Sequence, residues 1–469
     1  MISNNKKLKD LENIDVIFFS AFDHNEGKNN HGLFQMFDFF RSNLKIKSVF
    51  VNTLESLYRN DIDIFNISHL GENLPLAQQI NYDFMDSSSS NPYLWLNQCD
   101  KTEEGRKEYT EHAARILIKN LPNHKFIAIA DKADIDLPVL ELILRHFKSK
   151  VIILSAVNNT WTGYCAYPDE YNCDKFKTKE GCRLPCPAIS RRKGGDASFL
   201  SSNYNATKDF VERNKESVVL NVGNKFSFQE ASESFIFKDI EKVLIPLKNV
   251  FSHDDFEKLW LAKKDQRENL LNNLKQQSSF NVQKTKFIIM WSAHDIAIKR
   301  KGMDYFITSL RILKYLMKVD RFDEMLVVIS AQIGDHVLAN ELKKLNIPVV
   351  FTGHIDKNTY NSILAASDVY CSTTLSDAGP RTTYEAAALA TPVISFDKCN
   401  AADFVSNENG ALVETYDVKS FAEQMYRFAN HNKEEKKLTS LNMYKTYENL
   451  MDTNKLVEKW EDFFKKHGV

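Results

Sequence analysis

The sequence predicts an α/β protein made of two domains, each with a parallel sheet covered by helices. Short apolar runs of strand length alternate with segments of helical periodicity in both halves of the chain. This alternation is typical of parallel sheets, whose strands are joined by helices. A chain of 469 residues is also too long for one ordinary domain. We therefore expect two doubly wound, Rossmann-like domains that face a cleft.

The first half opens with a strand-like run at 16–19, a polar loop at 23–32 and a helical pattern at 33–40. Its other strand-like runs are at 48–51, 125–130, 150–154, 217–222 and 242–247, with a helical pattern at 138–147. The segment at about 160–205 is rich in Cys, Lys, Gly, Pro and Ser and interrupts this pattern, so we interpret it as an insertion. Residues 1–250 form the predicted N-terminal domain.

The second half repeats the alternation more regularly. Its strand-like runs are at 287–291, 326–329, 349–352, 369–372 and 393–396. Its helical patterns are at 303–318, 335–345, 358–366, 381–390, 418–430 and 434–466. Residues 251–445 form the predicted C-terminal domain, and we expect a last helix at 446–469 to pack back on the N-terminal domain.

Charge and hydropathy exclude some classes of protein. The chain has 61 basic and 62 acidic residues, a balance that does not favour nucleic-acid binding. No apolar run approaches the roughly 18–20 residues that span a bilayer, and the N-terminus lacks the pattern of a signal peptide. We expect a cytoplasmic protein and leave open its peripheral contact with the inner face of the membrane.

The segment after the strand at 369–372 has the features of a phosphate site. It consists of small residues and leads into a helix that begins near Arg381. In open α/β sheets, ligands bind beyond the carboxyl ends of the strands, and a helix N-terminus attracts anions. Glu385 lies one turn into this helix, where its carboxylate can bind two adjacent hydroxyls. An ordinary strand-to-helix turn with solvated acidic side chains is the other interpretation.

The same segment resembles a known signature. Seven residues separate Asp377 from Glu385, and the chain continues as EAAALATPVI. This resembles the Glu-x7-Glu pattern and the following EAMACGTPVV of glycosyltransferase family 4, whose members are retaining enzymes of the GT-B fold. Three other motifs of the family have counterparts in order: Lys301-Gly302, the FTGHI run at 351–355 and the NGALV run at 409–413.

The resemblance implies a donor site for a nucleoside diphosphate sugar. Glu385 would bind the ribose, Asp377 would lie beside the transferred sugar, and Lys301 would contact the diphosphate; these three are the predicted catalytic residues. The other implied donor-binding residues are Arg300, Gly353, His354, Ile355, Ala378, Gly379, Pro380, Arg381 and Thr382. Lys301 and the helix end supply the positive charge that the leaving group needs, so catalysis requires no metal or other cofactor.

The chain departs from the family at several places, among them Ala390, which replaces a usual Gly with a minor change in packing. Asp377 stands where Glu is usual and is one methylene shorter. Trp291-Ser292-Ala293 stands where Gly-Arg is frequent, which removes a phosphate-binding Arg that Arg300 or Arg381 could replace. The run at 155–158 lacks the His found there in relatives.

The N-terminal half resembles the family more weakly. Ile245-Pro246 and Asp254-Asp255-Phe256 resemble the junction between the two domains, which places the boundary near 250. The loop at 23–32 corresponds to the family's Gly-rich acceptor loop. Gly27, His31 and Gly32 are therefore the predicted acceptor-binding residues, and an ordinary surface connection is the other interpretation of this loop.

Four cysteines lie within 22 residues of the insertion, at Cys165, Cys173, Cys182 and Cys186. Their arrangement resembles the TGGCHY…C…GCxxCP pattern in a subset of these transferases that build bacterial surface polysaccharides. Four thiols suit a tetrahedral structural zinc site. Free thiols and disulfides remain the two other interpretations.

These observations favour retaining transfer of a sugar from a nucleoside diphosphate to a hydroxyl of a glycan or a lipid-linked acceptor. The expected setting is the synthesis of a bacterial surface polysaccharide. Two alternatives remain: a catalytically degenerate subunit that binds a nucleotide sugar or partners an active transferase, and a sugar-nucleotide epimerase.

Overall fold

A computed structural model of the chain describes residues 13–20, 32–52, 64–66, 103–131, 135, 137–155, 160–163, 165, 167–187, 199–246, 255–275, 281, 284–317, 321, 324–333, 337–377 and 379–469. The chain divides into two compact units. Unit 1 contains Met1–Gly223, Ser227–Lys248 and Thr453–Val469, and unit 2 contains Asn224–Phe226 and Asn249–Asp452. None of the described helices is both long and apolar enough to cross a membrane.

The described strands form one parallel sheet in each unit. The strands of unit 1 are β1 Val16–Ser20, β2 Ser48–Asn52, β3 Ile64–Asn66, β4 Ile127–Asp131, β5 Lys150–Ser155, β6 Val218–Val222 and β7 Glu241–Leu244. Those of unit 2 are β8 Phe287–Asp295, β9 Met325–Gln332, β10 Val349–Phe351, β11 Val369–Ser372, β12 Val393–Phe396 and β13 Gly410–Val413. The sheet orders are β3-β2-β1-β4-β5-β6-β7 and β10-β9-β8-β11-β12-β13, with all described pairings parallel.

Helices connect the strands and cover the sheets. The described helices are α1 Gly32–Asn43, α2 Glu103–Asn120, α3 Leu137–Phe147, α4 Phe199–Arg213, α5 Lys225–Glu233, α6 Phe256–Lys275, α7 Met303–Leu316, α8 Val337–Lys344, α9 Lys357–Ala366, α10 Arg381–Ala388, α11 Val418–Ala429, α12 Lys433–Leu450 and α13 Thr453–His467. The alternation of strands and helices confirms the predicted α/β fold class.

The sheet of unit 1 is buried on both faces. Ile17 and Phe19 of β1 belong to one apolar cluster, and Val16 and Phe18 belong to another on the opposite face. A continuous apolar run such as this one is typical of a parallel strand with helices on both sides.

The last helix, α13, packs within unit 1, as the sequence predicted. The Trp460 ring lies 4.8 Å from the Phe40 ring of α1, centroid to centroid, and the Phe464 ring lies 5.5 Å from it. Both residues of α13 are buried in the same cluster as β1. The end of the chain therefore completes the core of the N-terminal unit.

Two segments differ from the sequence-based expectations. Helix α4 begins at residue 199, inside the predicted insertion at 160–205. The helical pattern at 434–466 divides into α12 and α13, so the change from unit 2 to unit 1 falls after Asp452 rather than at 446. No Gly or Pro marks this break in the sequence. The residue at the C-cap of α12 is Met451, which is buried.

A buried ionic cluster supports the amino end of β11 in unit 2. Asp368 pairs with Arg267 of α6 at 2.6 Å and with Lys436 of α12 at 2.9 Å. Lys263 of α6 donates to the Ser367 carbonyl, and its ammonium is buried although part of its side chain reaches the surface. Burial lowers the pKa of Lys263 to about 8, against the opposing effect of Asp368.

This lowered pKa predicts a pH-dependent stability. Below pH 8, Lys263 is charged in the folded and unfolded chain, and its burial opposes folding. As the pH rises from 8 towards 10.5, the folded chain loses this proton first, so the Lys263 contribution becomes more favourable. Wild type should therefore gain stability relative to Lys263→Met across this window, by at most about 1.4 kcal/mol per pH unit.

Urea unfolding of both proteins between pH 6 and 10 measures the difference. The region from pH 6 to 7 is the internal control, because the difference should be constant there. A difference that is equally constant from pH 8 to 10 would show that the Lys263 ammonium is not destabilised by its surroundings.

Candidate functional site

The predicted donor segment lies at the point in the second sheet where the strand order reverses. Strands β8 and β11 are neighbours, and successive strands on either side of this pair run outward in opposite directions. The loops that follow β8 and β11 therefore diverge at the carboxyl edge of the sheet. Ligands bind at this position in doubly wound folds.

Close to the sheet, hydrogen bonds to backbone carbonyls join these two loops. Leu375 donates its N–H to the Arg300 carbonyl at 2.8 Å, and the Thr373 hydroxyl donates to the Gly302 carbonyl at 2.8 Å. Gly302 has a φ of +67°, and a Cβ at this position would lie 2.1 Å from the Thr373 carbonyl oxygen. Only glycine permits this close approach, which explains the Lys301-Gly302 motif.

Three charged side chains meet where the loops are joined. Asp377 Oδ2 lies 2.7 Å from Arg300 Nη1 and 2.7 Å from Lys301 Nζ. All three side chains are 14–15% exposed. Burial raises the pKa of the Asp377 carboxyl, but Lys301 and Arg300 outweigh this effect and hold the pKa below its ordinary value. The three side chains together carry a formal charge of +1.

Helix α10 begins directly after this cluster. Pro380 occupies its N-cap without a side-chain hydrogen bond to the first turn. Behind the turn, Asn400 donates to the Pro380 carbonyl at 3.2 Å and accepts from the Thr383 hydroxyl at 3.0 Å. Gly379 has a φ of +129°, which non-glycine residues rarely adopt. The amides of the first turn and the two nearby cations make this region suitable for an anion.

Glu385 lies in the second turn of α10 and is 5% exposed. Its Oε1 lies 2.6 Å from Nζ of Lys357, the first residue of α9. The carboxylate is thus buried and paired, which is the arrangement that makes a buried charge tolerable. The sequence placed Glu385 correctly on the helix but gave no sign of its partner.

A chain of hydroxyl groups runs close to Glu385. Ser292 Oγ lies 3.0 Å from the Tyr360 hydroxyl and 3.1 Å from the Tyr370 hydroxyl, which donates to Thr382 Oγ1 at 2.8 Å. Burial and, to a smaller extent, Glu385 raise the pKa of Tyr370 to about 12. Burial and Glu385 also raise the pKa of Tyr360. These hydroxyls therefore stay protonated at neutral pH.

The loop predicted to contact the base connects β10 to α9. Gly353 has a φ of +64°, and the exposed ring of His354 lies 4.9 Å from that of His294, centroid to centroid. Asp356 caps α9 by accepting from the Asn358 and Thr359 amides at 3.0 Å each. This cap fixes the loop relative to the start of the helix.

The structure thus brings most predicted donor residues to one edge of the second sheet. These are Arg300, Lys301, Gly353, His354, Ile355, Asp377, Gly379, Pro380, Arg381, Thr382 and Glu385. Ala378 lies outside the described residues. Sequence reasoning missed His294, Lys357, Tyr360, Tyr370 and Asn400. In the sequence, Ser292 is marked only as part of the run that stands in place of the family's Gly-Arg pair.

The predicted acceptor residues are mostly outside the described part of the chain. Gly27 and His31 belong to a range that the structure does not describe, as do residues 156–158. Gly32 is the first residue of α1. The acceptor assignments therefore stay predictions.

The four cysteines of the insertion line one small cavity of about 20 Å³ in unit 1, beside short 3₁₀ turns at Pro168–Tyr171 and Lys175–Lys177. All four are free thiols. Cys182 Sγ accepts a hydrogen bond from the Gly163 amide at 3.1 Å. Within the described part of the chain, no three His, Cys, Asp or Glu side chains are arranged to hold a metal ion. The four thiols therefore share one cavity, and structural zinc there stays a prediction.

The Asp377 cluster predicts a specific loss of stability. Asp377→Asn keeps the shape of the side chain but removes the charge that holds Arg300 and Lys301. We expect unfolding at pH 7 to become easier by about 2 kcal/mol, the contribution of hydrogen bonds to a charged group. The effect should persist down to about pH 4, because the folded-state pKa of Asp377 lies below the ordinary value of 3.8. Below pH 4 the stabilisation should decline as the pH falls towards the folded-state pKa, and it is gone below that pKa.

Urea unfolding measures this loss, with Glu341→Gln as the matched control. Glu341 also contacts two cations, Lys344 at 2.8 Å and Arg311 at 3.5 Å, but its side chain is 35% exposed. Solvent screens such pairs, so the control should lose much less stability. Equal losses in the two variants would contradict a special role for the buried cluster.

Comparison with a protein-family model adds independent support. Residues 273–442 match the model described as glycosyl transferases group 1. The match lies within unit 2 and includes Asp377, Glu385, Lys301 and the loop at 353–355. No curated protein sequence gives a significant match to the chain.

Solved structures resemble the chain along nearly its whole length. A TarM variant of S. aureus solved with UDP and α-GlcNAc-glycerol has a TM-score of 0.55 at 12% identity, covering 96% of this chain and 99% of that one. The pneumococcal O-GlcNAc transferase GtfA, solved with UDP and GlcNAc, has a TM-score of 0.56 at 13% identity, covering 97% of this chain and 99% of that one. Sucrose-phosphate synthase from Thermosynechococcus elongatus has a TM-score of 0.60 at 11% identity, covering 97% of this chain and 98% of that one.

At these identities, the structural similarities establish the fold. Together with the family model, they confirm the GT-B fold and the class of enzyme that the sequence predicted. Residues 273–442 match the glycosyl transferases group 1 model, and the chain is a glycosyltransferase of the GT-B fold.

Proposed function

We propose that the chain transfers a sugar from a nucleoside diphosphate to a hydroxyl of a glycan or lipid-linked acceptor, with retention of anomeric configuration. The observation that carries this proposal is the cluster of Arg300, Lys301 and Asp377 at the switch point of the second sheet. The cluster has an excess positive charge and adjoins the start of α10, where a diphosphate would be stabilised.

The other groups of the site suit the remaining parts of a nucleotide sugar. Glu385 is one turn further along α10 and offers a carboxylate for the ribose hydroxyls. The loop at Gly353 and His354 would contact the base. The transferred sugar would lie beside Asp377, in the role that the family resemblance implies.

The chemistry requires charge stabilisation at the leaving group. The bond between the anomeric carbon and the diphosphate oxygen breaks, and the acceptor hydroxyl oxygen forms the new bond to that carbon. The proton of the acceptor hydroxyl passes to the departing diphosphate. The departing diphosphate gains negative charge, which Lys301, Arg300 and the α10 amides would stabilise. Such fixed, preoriented groups are often the largest contribution to catalysis. Asp377 keeps both cations in place before the donor arrives.

The finer assignments follow from the sequence motifs. Membership of family 4 rests on the Asp377-to-Glu385 pattern, and a role in bacterial surface polysaccharide synthesis rests on the cysteine-rich insertion. Such a role implies a cytoplasmic enzyme, acting at the inner face of the membrane where its acceptor is lipid-linked. Structural zinc at Cys165, Cys173, Cys182 and Cys186 stays a prediction, which metal analysis of the purified protein tests.

The placement of the ribose predicts the effect of Glu385→Ala. Removing the carboxylate should weaken nucleotide binding by about 1–3 kcal/mol, because a charged hydrogen-bonding partner is lost. Calorimetric titration with uridine diphosphate, the nucleotide bound in two of the similar structures, measures the change. Glu423→Ala on α11 is the control, since this carboxylate is 48% exposed and pairs only loosely with Lys419 at 3.7 Å.

An unchanged affinity in Glu385→Ala would mean that the ribose binds elsewhere. If uridine diphosphate does not bind to wild type, thermal-shift measurements with guanosine and thymidine diphosphates identify the nucleotide, because a ligand stabilises the folded state. Release of nucleoside diphosphate from the corresponding sugar donor, accelerated by a glycan or lipid-linked acceptor, would support transfer. Nucleotide binding without turnover would instead favour a catalytically degenerate subunit.

A further inference from the structure

The buried Glu385 carboxylate has a cationic partner that the sequence motifs do not include. Lys357 Nζ lies 2.6 Å from Glu385 Oε1. The Glu385 side chain is 7% exposed, whereas that of Lys357 is 41% exposed. The lysine side chain therefore extends from the surface towards a buried acid, whereas most lysine side chains extend into water.

The surroundings of Lys357 restrict its position. It is the first residue of α9, directly after the capping residue Asp356. Its ammonium lies 4.9 Å from the centre of the Tyr360 ring, a distance suited to a cation–π interaction. The Tyr360 hydroxyl is in turn within 3.0 Å of Ser292 Oγ. The ammonium is thus held both by the carboxylate and by an anchored aromatic ring.

This pair connects two parts of the donor site. Lys357 follows the loop at Gly353 and His354, which would contact the base, and Glu385 would contact the ribose. A carboxylate at the second turn of a helix can rotate about its side-chain bonds. An ion pair to one of its oxygens limits this rotation and so restricts where the second oxygen points.

We propose that Lys357 is a positioning residue that holds the Glu385 carboxylate for the ribose hydroxyls and so sets a preference for ribonucleotides over 2′-deoxyribonucleotides. The inference rests on the proposed function, because it requires a nucleoside diphosphate on α10. A hydroxyl contributes most when its acceptor is already oriented and pays no cost to become so. The 2′-hydroxyl is the group that a 2′-deoxyribonucleotide lacks.

The test compares the affinities of uridine diphosphate and 2′-deoxyuridine diphosphate for each protein by calorimetric titration. Wild type should prefer the ribonucleotide by about tenfold, as expected for a hydrogen bond to a charged group. Lys357→Met should lose most of this preference, mainly by weaker binding of the ribonucleotide. Lys357→Arg, which retains a cation, should keep part of it. Glu385→Gln should lose the preference as well, and combining it with Lys357→Met should cause little further loss.

Lys437→Met is the matched control. The Lys437 side chain is 42% exposed and lies 2.8 Å from Glu257, so it resembles Lys357 in exposure and in pairing with a glutamate. The Lys437→Met protein should prefer the ribonucleotide as strongly as wild type does. Because each preference is a ratio measured on one folded protein, a general loss of stability does not imitate the expected result.

The outcomes separate this inference from the proposed function. If wild type binds neither these nucleotides nor their guanosine and thymidine counterparts, the proposed function fails. If wild type prefers the ribonucleotide and Lys357→Met keeps that preference, the pair only ties α9 to α10 and the inference is overturned. A wild type that binds both nucleotides equally well overturns it too. If Lys357→Met does not fold, a full wild-type preference in Lys357→Gln would overturn it, and a lost one would support it.

Discussion

The candidate site depends on one carboxylate, Asp377, that binds two cations from a neighbouring loop. Taking charges out of water is costly, and removing one member of a buried pair leaves the others uncompensated. Asp377 meets this constraint for Arg300 and Lys301 with two contacts of 2.7 Å each. The cluster retains one positive charge, held in place before any anion arrives. Its location follows from the reversal of strand order between β8 and β11.

The polar groups around α10 differ in charge along the helix. Arg300 and Lys301 place positive charge near its start, and the carboxylate of Glu385 lies one turn further on. Beside Glu385 lie its ion-pair partner, the Lys357 ammonium, and the hydroxyls of Tyr360 and Tyr370, which burial and the acid itself keep protonated. A nucleoside diphosphate has the complementary arrangement: an anionic end and a neutral sugar rich in hydroxyls. The charges around α10 in unit 2 are therefore complementary to the donor that glycosyltransferases use.

The sequence predicted the features that repeat along the chain. The alternation of apolar runs and helical patterns predicted the two sheets, and the small residues after β11 predicted the start of α10. It could not predict partners that lie far apart in sequence, since a pattern gives the position of a residue on its own element only. Ser292 meets Tyr370 across 78 residues, and Arg300 meets Asp377 across 77. In the sequence, Lys357 is an ordinary residue at the start of a helix, and its neighbours in the sequence do not indicate its contact with Glu385.

In the proposed function, Arg300 and Lys301, held by Asp377, form the diphosphate site. Calorimetric titration of Lys301→Met with uridine diphosphate and with uridine tests this assignment most directly, because only the first ligand carries phosphates. We expect affinity for uridine diphosphate to fall by about tenfold or more while affinity for uridine is unchanged. An equal change for both ligands, or none for either, would contradict the assignment.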